Sequence, residues 1–219
     1  MDQFTREVDE EYRREQMAAM WKRYGGIVVA VVVVVVLGVA GYTFWENRQR
    51  QAAEQASLRL YEASRLVSED RTEEARAILA DLAADAPGGT GVLAELRLAA
   101  LLAEENAAEG VAAYEAIAQD AETPAVLRDL ARLRAALLQL DAAPDAALPV
   151  LQSLAQEDGA FRHTAREQLG LAALDRGDYE AAGTWFDAIA VDPETPGALR
   201  QRLAIYSALV AAGPVADTQ

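Results

Sequence analysis

The sequence predicts an all-α chain: a single N-terminal transmembrane helix, then an α-solenoid of about four helix pairs plus a C-terminal capping helix. Three observations carry this. The 21 residues Gly25–Trp45 hold no charge and, as a helix rising ~1.5 Å per residue, match the hydrocarbon core of a bilayer. Beyond them, Glu95–Arg128 recurs without a gap as Glu167–Arg200, 72 residues later. Finally, 52% of the residues are hydrophobic but many are alanine, and three Trp, seven Tyr and four Phe make a sparse aromatic set, which suits helices packed through small residues. Three divisions follow: 1–24 a cytoplasmic leader helix, 25–45 the span, 46–219 the repeat domain.

In the leader, Phe4, Val8 and Tyr12 recur every four residues as a narrow apolar stripe. Opposite charges sit at helical spacing, as in Glu10 and Arg14. The stripe fits a contact helix; the alternative is a solvated lead-in to the span.

The span reads "YGGIVVAVVVVVVLGVAGYTFW" from Tyr24. Valine is a mediocre helix former in water, but in lipid an isolated segment must satisfy its own backbone and helix is its solution. A buried strand would rarely exceed about 10 residues. Trp21, Lys22, Arg23 and Tyr24 before the run, with Tyr42 and Trp45 at its end, form the expected interfacial anchors. A cleavable signal is the rival, since Gly38-Val39-Ala40 offers a small-x-small site, yet the leader carries six acids and the run continues past that site. Lys22 and Arg23 place the N-terminus in the cytoplasm and the domain outside.

Charge narrows the partners. With 35 acidic against 20 basic residues the net charge is −15, so a polyanion is repelled and nucleic acid is not an expected partner. There is no cysteine, hence neither disulfide nor thiolate metal site.

The repeat is clearest at its end, where "YEAIAQDAETPAVLR" stands against "FDAIAVDPETPGALR". Thr72, Ala107, Pro144 and Asp178 each open the second helix of a pair, giving pairs near 53–68/72–85, 91–105/108–120, 124–140/145–156 and 161–176/179–191, with a cap near 196–212. Thr123 and Thr195 precede prolines and are expected as N-caps with proline at the first helical position. In the fourth pair, Leu169-Gly170, Gly177, Tyr179, Ala182, Phe186 and Pro193 resemble the tetratricopeptide repeat consensus. Gly170 permits close approach, Gly177 a turn, Ala182 a helix crossing and Phe186 a large knob.

The whole layout (charged leader "FTREVDEEYRREQMAAMWKRYG", one span, polar juxtamembrane stretch, degenerate repeats) resembles the YfgM-type ancillary subunit of the bacterial Sec translocon, in its alphaproteobacterial form. The resemblance implies an inner-membrane protein with a periplasmic domain. It would sit beside SecYEG with a membrane-anchored prolyl-isomerase-like chaperone, assisting client polypeptides as they emerge. A scaffold or adaptor of another cell-envelope assembly is the alternative.

No residue set points to catalysis, a cofactor or a metal. His163, the single histidine, has no second His or Cys for a ligand set and reads as a surface or helix-start residue. "PGGTG" at Pro87–Gly91 lacks the lysine end of a phosphate loop and reads as a turn between helices. The chain is expected to be non-enzymatic. A groove remains: at the fourth pair's register, Glu167, Leu171 and Leu174 line a concave face, with Glu95, Ala99 and Leu102 as their counterparts in the second. An acidic rim over leucines suits a peptide held by apolar anchors and a cation. Alternatively these leucines pack against the next repeat or the cap.

Overall fold

The computed structural model describes residues 2–87 and 89–213, the side chains of 2–20, 24, 25, 27–29 and 32 excepted. Regular structure among them is α-helical: α1 (Asp2–Ser68), α2 (Thr72–Asp85), α3 (Gly89–Glu105), α4 (Ala107–Gln119), α5 (Ala125–Gln139), α6 (Pro144–Leu154), α7 (Arg162–Asp175), α8 (Tyr179–Ala190) and α9 (Gly197–Ala212). The ends of α2 to α9 lie within about two residues of those the turn signals predict. Two compact units divide the chain, Met1–Glu54 and Gln55–Gln219, and α1 contributes to both.

In the first unit the leader is helical, while the stripe of Phe4, Val8 and Tyr12 lies outside the described side chains. Trp21, Tyr42 and Trp45 are exposed, as are Val33 to Leu37. Thr43 donates back to the Val39 carbonyl at 2.6 Å, so its hydroxyl is satisfied within the helix. Among the described residues no helix is long and apolar enough to cross a membrane. The side chains of Tyr24, Gly25, Ile27, Val28, Val29 and Val32, which belong to the apolar run, lie outside those residues.

The second unit is a solenoid of helix hairpins in which each core is shared by a hairpin and the first helix of the next. Ala63, Leu66, Leu79, Leu82 and Ala94 join α1, α2 and α3. Ala99, Tyr114, Ile117 and Ala131 do the same for α3, α4 and α5. Leu133, Leu151 and Leu169 join α5, α6 and α7, and Phe186, Ile189 and Leu203 belong to the last core. Each fully buried leucine contributes about 1.5–3 kcal/mol, so these few large side chains dominate the cores. α9 lays Leu199 and Leu203 on α7 and α8, leaving Ile205 and Leu209 exposed on its outer side.

The fourth hairpin is built as its consensus residues require. A Cβ on Gly170 would stand 2.4 Å from Phe186 Cε1, so only glycine lets the ring sit there. Ala182 is fully buried at the crossing. Gly177, at φ +74°, ends α7 in a Schellman motif: its N–H donates to the Leu174 carbonyl and that of Asp178 to the Ala173 carbonyl, each at 2.9 Å. The first hairpin closes in the same way with Asp70, at φ +60°, in the glycine's place. Asn106 and Asp178 cap α4 and α8 through side-chain oxygens.

The two threonine caps require correction. Pro124 and Pro196 themselves occupy the N-cap positions of α5 and α9. Thr123 and Thr195 lie one residue earlier, nearly fully buried, and their hydroxyls face backwards into the turn. Thr123 donates to Asp120 at 2.8 Å, and Thr195 to the Ile189 carbonyl at 2.7 Å. Arg128 and Arg200 close the turns from the next helix by donating to the carbonyls of Thr123 and Thr195. The repeated Asp-x-Glu-Thr-Pro-x-x-Leu-Arg string is thus a folding device at the hairpin-to-hairpin joint, its Asp, Thr and Arg side chains bonded to backbone or neighbour in both copies.

Candidate functional site

The site is set by the unequal turns of two hairpins. α3 passes to α4 through Asn106 alone, whereas Arg176, Gly177 and Asp178 separate α7 from α8. The second helices keep the 72-residue offset, Tyr114 standing for Phe186 and Asp120 for Asp192. The first helices do not. Ala99 packs in the Tyr114 core as Gly170 packs on Phe186, an offset of 71 (170 − 99). Ala94 and Ala165, both fully buried, share that offset (165 − 94) in the cores behind. The longer turn around Gly177 takes up the difference, and the correspondence of Glu95, Ala99 and Leu102 with Glu167, Leu171 and Leu174 is corrected accordingly.

The two triplets therefore face different surroundings. Glu167 is 7% exposed and its carboxylate is occupied: Arg202 of α9 donates from Nε at 2.8 Å and Nη2 at 2.9 Å, and the Tyr206 hydroxyl donates at 3.0 Å. Tyr206 also stacks on Phe186, ring centroids 5.0 Å apart. Leu171 and Leu174 pack against this α8–α9 core. These three residues hold the cap.

Glu95, Ala99 and Leu102 line one open groove between antiparallel α3 and α4, about 370 Å³ in volume. Leu98 completes its α3 side; Ala113, Ala116, Ile117 and Asp120 form the α4 side. The helices come close because α4 carries Gly110 at their crossing, where a Cβ would lie 2.3 Å from Ala103 Cβ. Two carboxylates stand at the end where α3 begins and α4 ends. Glu95 is pushed up from the ordinary glutamate range, first by burial and then by the charge of Asp120. Asp120 is held below the ordinary aspartate range by the Glu122 amide and then the Thr123 hydroxyl.

At the structural counterparts in the fourth hairpin the groove is filled from within. Arg166 stands where Glu95 does, and Trp185 where Ala113 does. Arg166, 7% exposed, donates to the Ala155 carbonyl at 2.9 Å, the Ala188 carbonyl at 3.2 Å and Asp192 at 3.1 Å. Arg162 adds a second guanidinium to Asp192 at 2.8 Å and also reaches Glu194. The Asp192 carboxyl is thereby held well below the usual range, chiefly by the Arg162 hydrogen bond. Trp185 packs on the core of α5, α6 and α7.

His163 lies in the first turn of α7, as a helix-start residue, but half-buried rather than on the surface; its Nδ1 is 3.4 Å from Thr195 Oγ1. Burial and the neighbouring Arg162 push it toward the neutral form. Of Pro87–Gly91, Pro87 lies between α2 and α3 while α3 already begins at Gly89, and Gly91 packs on the Ala86 carbonyl. No group of three or more metal-ligating side chains occurs among the described residues.

Asp120 and Trp185 lie in register in a gapless alignment of the repeats, whereas the equivalence of Glu95 with Arg166 escapes it. The readable signal is the longer turn of residues 176–178 with its glycine, across which the first helix shifts by one residue against the second.

No curated protein and no solved structure matches the chain. Residues 18–204, most of its length, match one family and so include the last part of the leader, the apolar run and all four hairpins. The chain belongs to the tetratricopeptide repeat-like domain family.

Proposed function

We propose that the protein is a non-enzymatic, membrane-anchored protein-binding module. Tetratricopeptide-like repeats generally bind protein partners on surfaces formed by stacked helices, and they generally carry no catalytic set. The observation that supports binding here is the open groove of Glu95, Leu98, Leu102 and Ala113, an apolar channel with a charged end.

On this reading Gly25–Trp45 spans the bacterial inner membrane. The leader is in the cytoplasm and the repeat domain in the periplasm, with Trp21, Lys22, Arg23, Tyr24, Tyr42 and Trp45 at the two interfaces. Support comes from the length of the uncharged run and its aromatic flanks. The leader's likeness to YfgM-type proteins places the module beside SecYEG and a membrane-anchored prolyl-isomerase-like chaperone, meeting clients as they emerge. Tethering raises the local concentration of partner and client, which makes weak contacts sufficient.

The test is a mild-detergent pull-down of full-length protein, beside a version whose Gly25–Trp45 is exchanged for an unrelated span. Channel subunits and a chaperone should accompany the full-length chain. Their absence, even after crosslinking in intact cells, would remove the translocon and leave a scaffold of another envelope assembly.

A further inference from the structure

We propose that the α3–α4 groove receives a basic side chain of a partner polypeptide, arginine or lysine, between Glu95 and Asp120, with an adjoining aromatic or leucine side chain on Leu98, Leu102 and Ala113. This rests on the protein-binding reading and specifies the partner's chemistry.

The fourth hairpin shows how this framework is completed. There the chain supplies its own cation, Arg166 on Asp192 and the Ala188 carbonyl, and an aromatic from the same α8, Trp185, packed on the core of α5, α6 and α7. In the second hairpin the aspartate remains as Asp120 and the carbonyl-bearing residue as Ala116, both lining the groove. The cation, however, is replaced by an anion, Glu95, and the indole by the methyl of Ala113. Two of the three acceptors of Arg166 thus have counterparts; the Asp120 carboxylate accepts there from the Glu122 amide and the Thr123 hydroxyl, and no guanidinium reaches it. Among the described residues Glu95 has neither a hydrogen-bond nor an ion-pair partner. The nearby Arg128 is engaged with the Ala121 and Thr123 carbonyls.

Charge and shape agree on the occupant. Two carboxylates at the end of an open apolar groove favour a planar or compact cation over an anion or a neutral group. The channel's volume of about 370 Å³ and its leucine and alanine walls accommodate an apolar neighbour as well as the cation. A chain of net charge −15 also attracts basic segments before contact.

The experiment measures binding of fluorescein-labelled octapeptides to the full-length protein in detergent. One peptide carries adjacent tryptophan and arginine among serine and glycine; a second replaces arginine by its neutral isostere citrulline. The arginine peptide should bind about tenfold more tightly than the citrulline peptide, and Glu95→Gln should abolish most of that difference. Ala113→Trp, which fills the channel, should weaken both peptides. Should that variant melt below the parent, Glu95→Gln, a conservative change at a half-buried site, decides alone. Equal binding of the two peptides, or a preference that survives Glu95→Gln, overturns this proposal while leaving a protein-binding module in place. Failure of the tagged protein to crosslink any polypeptide in intact cells would instead overturn the underlying reading.

Discussion

Glu95 stands where Arg166 stands two hairpins later, each beside the aspartate that opens the same Asp-x-Glu-Thr-Pro turn, Asp120 and Asp192. One site is an ion pair closed within the fold. The other is two like charges in a half-buried channel, an arrangement that works against stability and is relieved by a cation from outside.

Replacing that charge is therefore expected to stabilise the free protein. The folded pKa of Glu95 is raised above its unfolded value of roughly 4.3. Stability from its protonated form is present below that value and is lost as pH rises through the folded pKa. Glu95→Gln should raise the melting temperature at pH 7, and the gain should vanish by about pH 4. Thermal melts at the two pH values measure it; a lower Tm at pH 7 would assign Glu95 a structural role.

Asp192 behaves in the opposite sense. Its folded pKa is depressed, first by the Arg162 hydrogen bond, so its contribution is complete above the unfolded value of roughly 3.9 and is lost as pH falls toward the folded one. Asp192→Asn should destabilise at pH 7, and parent and variant should converge in acid. Urea unfolding at pH 7 and pH 2.5 reads the convergence.

The close crossings rank two glycines. At Gly110 the obstructing atoms are the Cβ, Cα and N of Ala103, at 2.3, 2.5 and 2.9 Å, while at Gly170 they belong to the ring of Phe186. A ring tilts more readily than a helix backbone moves. Gly170→Ala should cost about 1–3 kcal/mol and Gly110→Ala more, because its obstruction includes backbone. Denaturant titration of the two variants gives the order.

Asp70 holds the left-handed position that Gly177 holds in the fourth hairpin, at φ +60°. Relieving the side-chain clash by Asp70→Gly should stabilise by up to about 1 kcal/mol. A loss of stability would show that the carboxylate, rather than the backbone, matters there.

Most of the fold was legible because its punctuation is local. Pro144, Asp178, Gly177 and the two Thr-Pro turns each mark a helix end by a bond or a dihedral a single residue provides, whereas the Asn106 cap before Ala107 is passed over. The threonines themselves misled, since a Thr-Pro pair suits a cap in isolation and only tertiary packing turns the hydroxyl back toward Asp120 or the Ile189 carbonyl. Half of the candidate face was legible too: Glu95, Ala99 and Leu102 do share a groove. Glu167, Leu171 and Leu174 instead meet Arg202, Tyr206 and the α8–α9 core, because the one-residue shift across the turn at Gly177 rotates α7 by about 100° relative to α3. Pattern matching without a gap has no means of seeing that rotation.

The most direct test of a vacant site with a self-filled counterpart is the melting temperature of the double variant Glu95→Arg, Ala113→Trp at pH 7, which transplants the fourth hairpin's cation and indole into the second. A melting temperature above the parent's is expected, as the guanidinium meets Asp120 and the indole fills the channel. A melting temperature several degrees lower would contradict it, showing that the two hairpins do not share one framework.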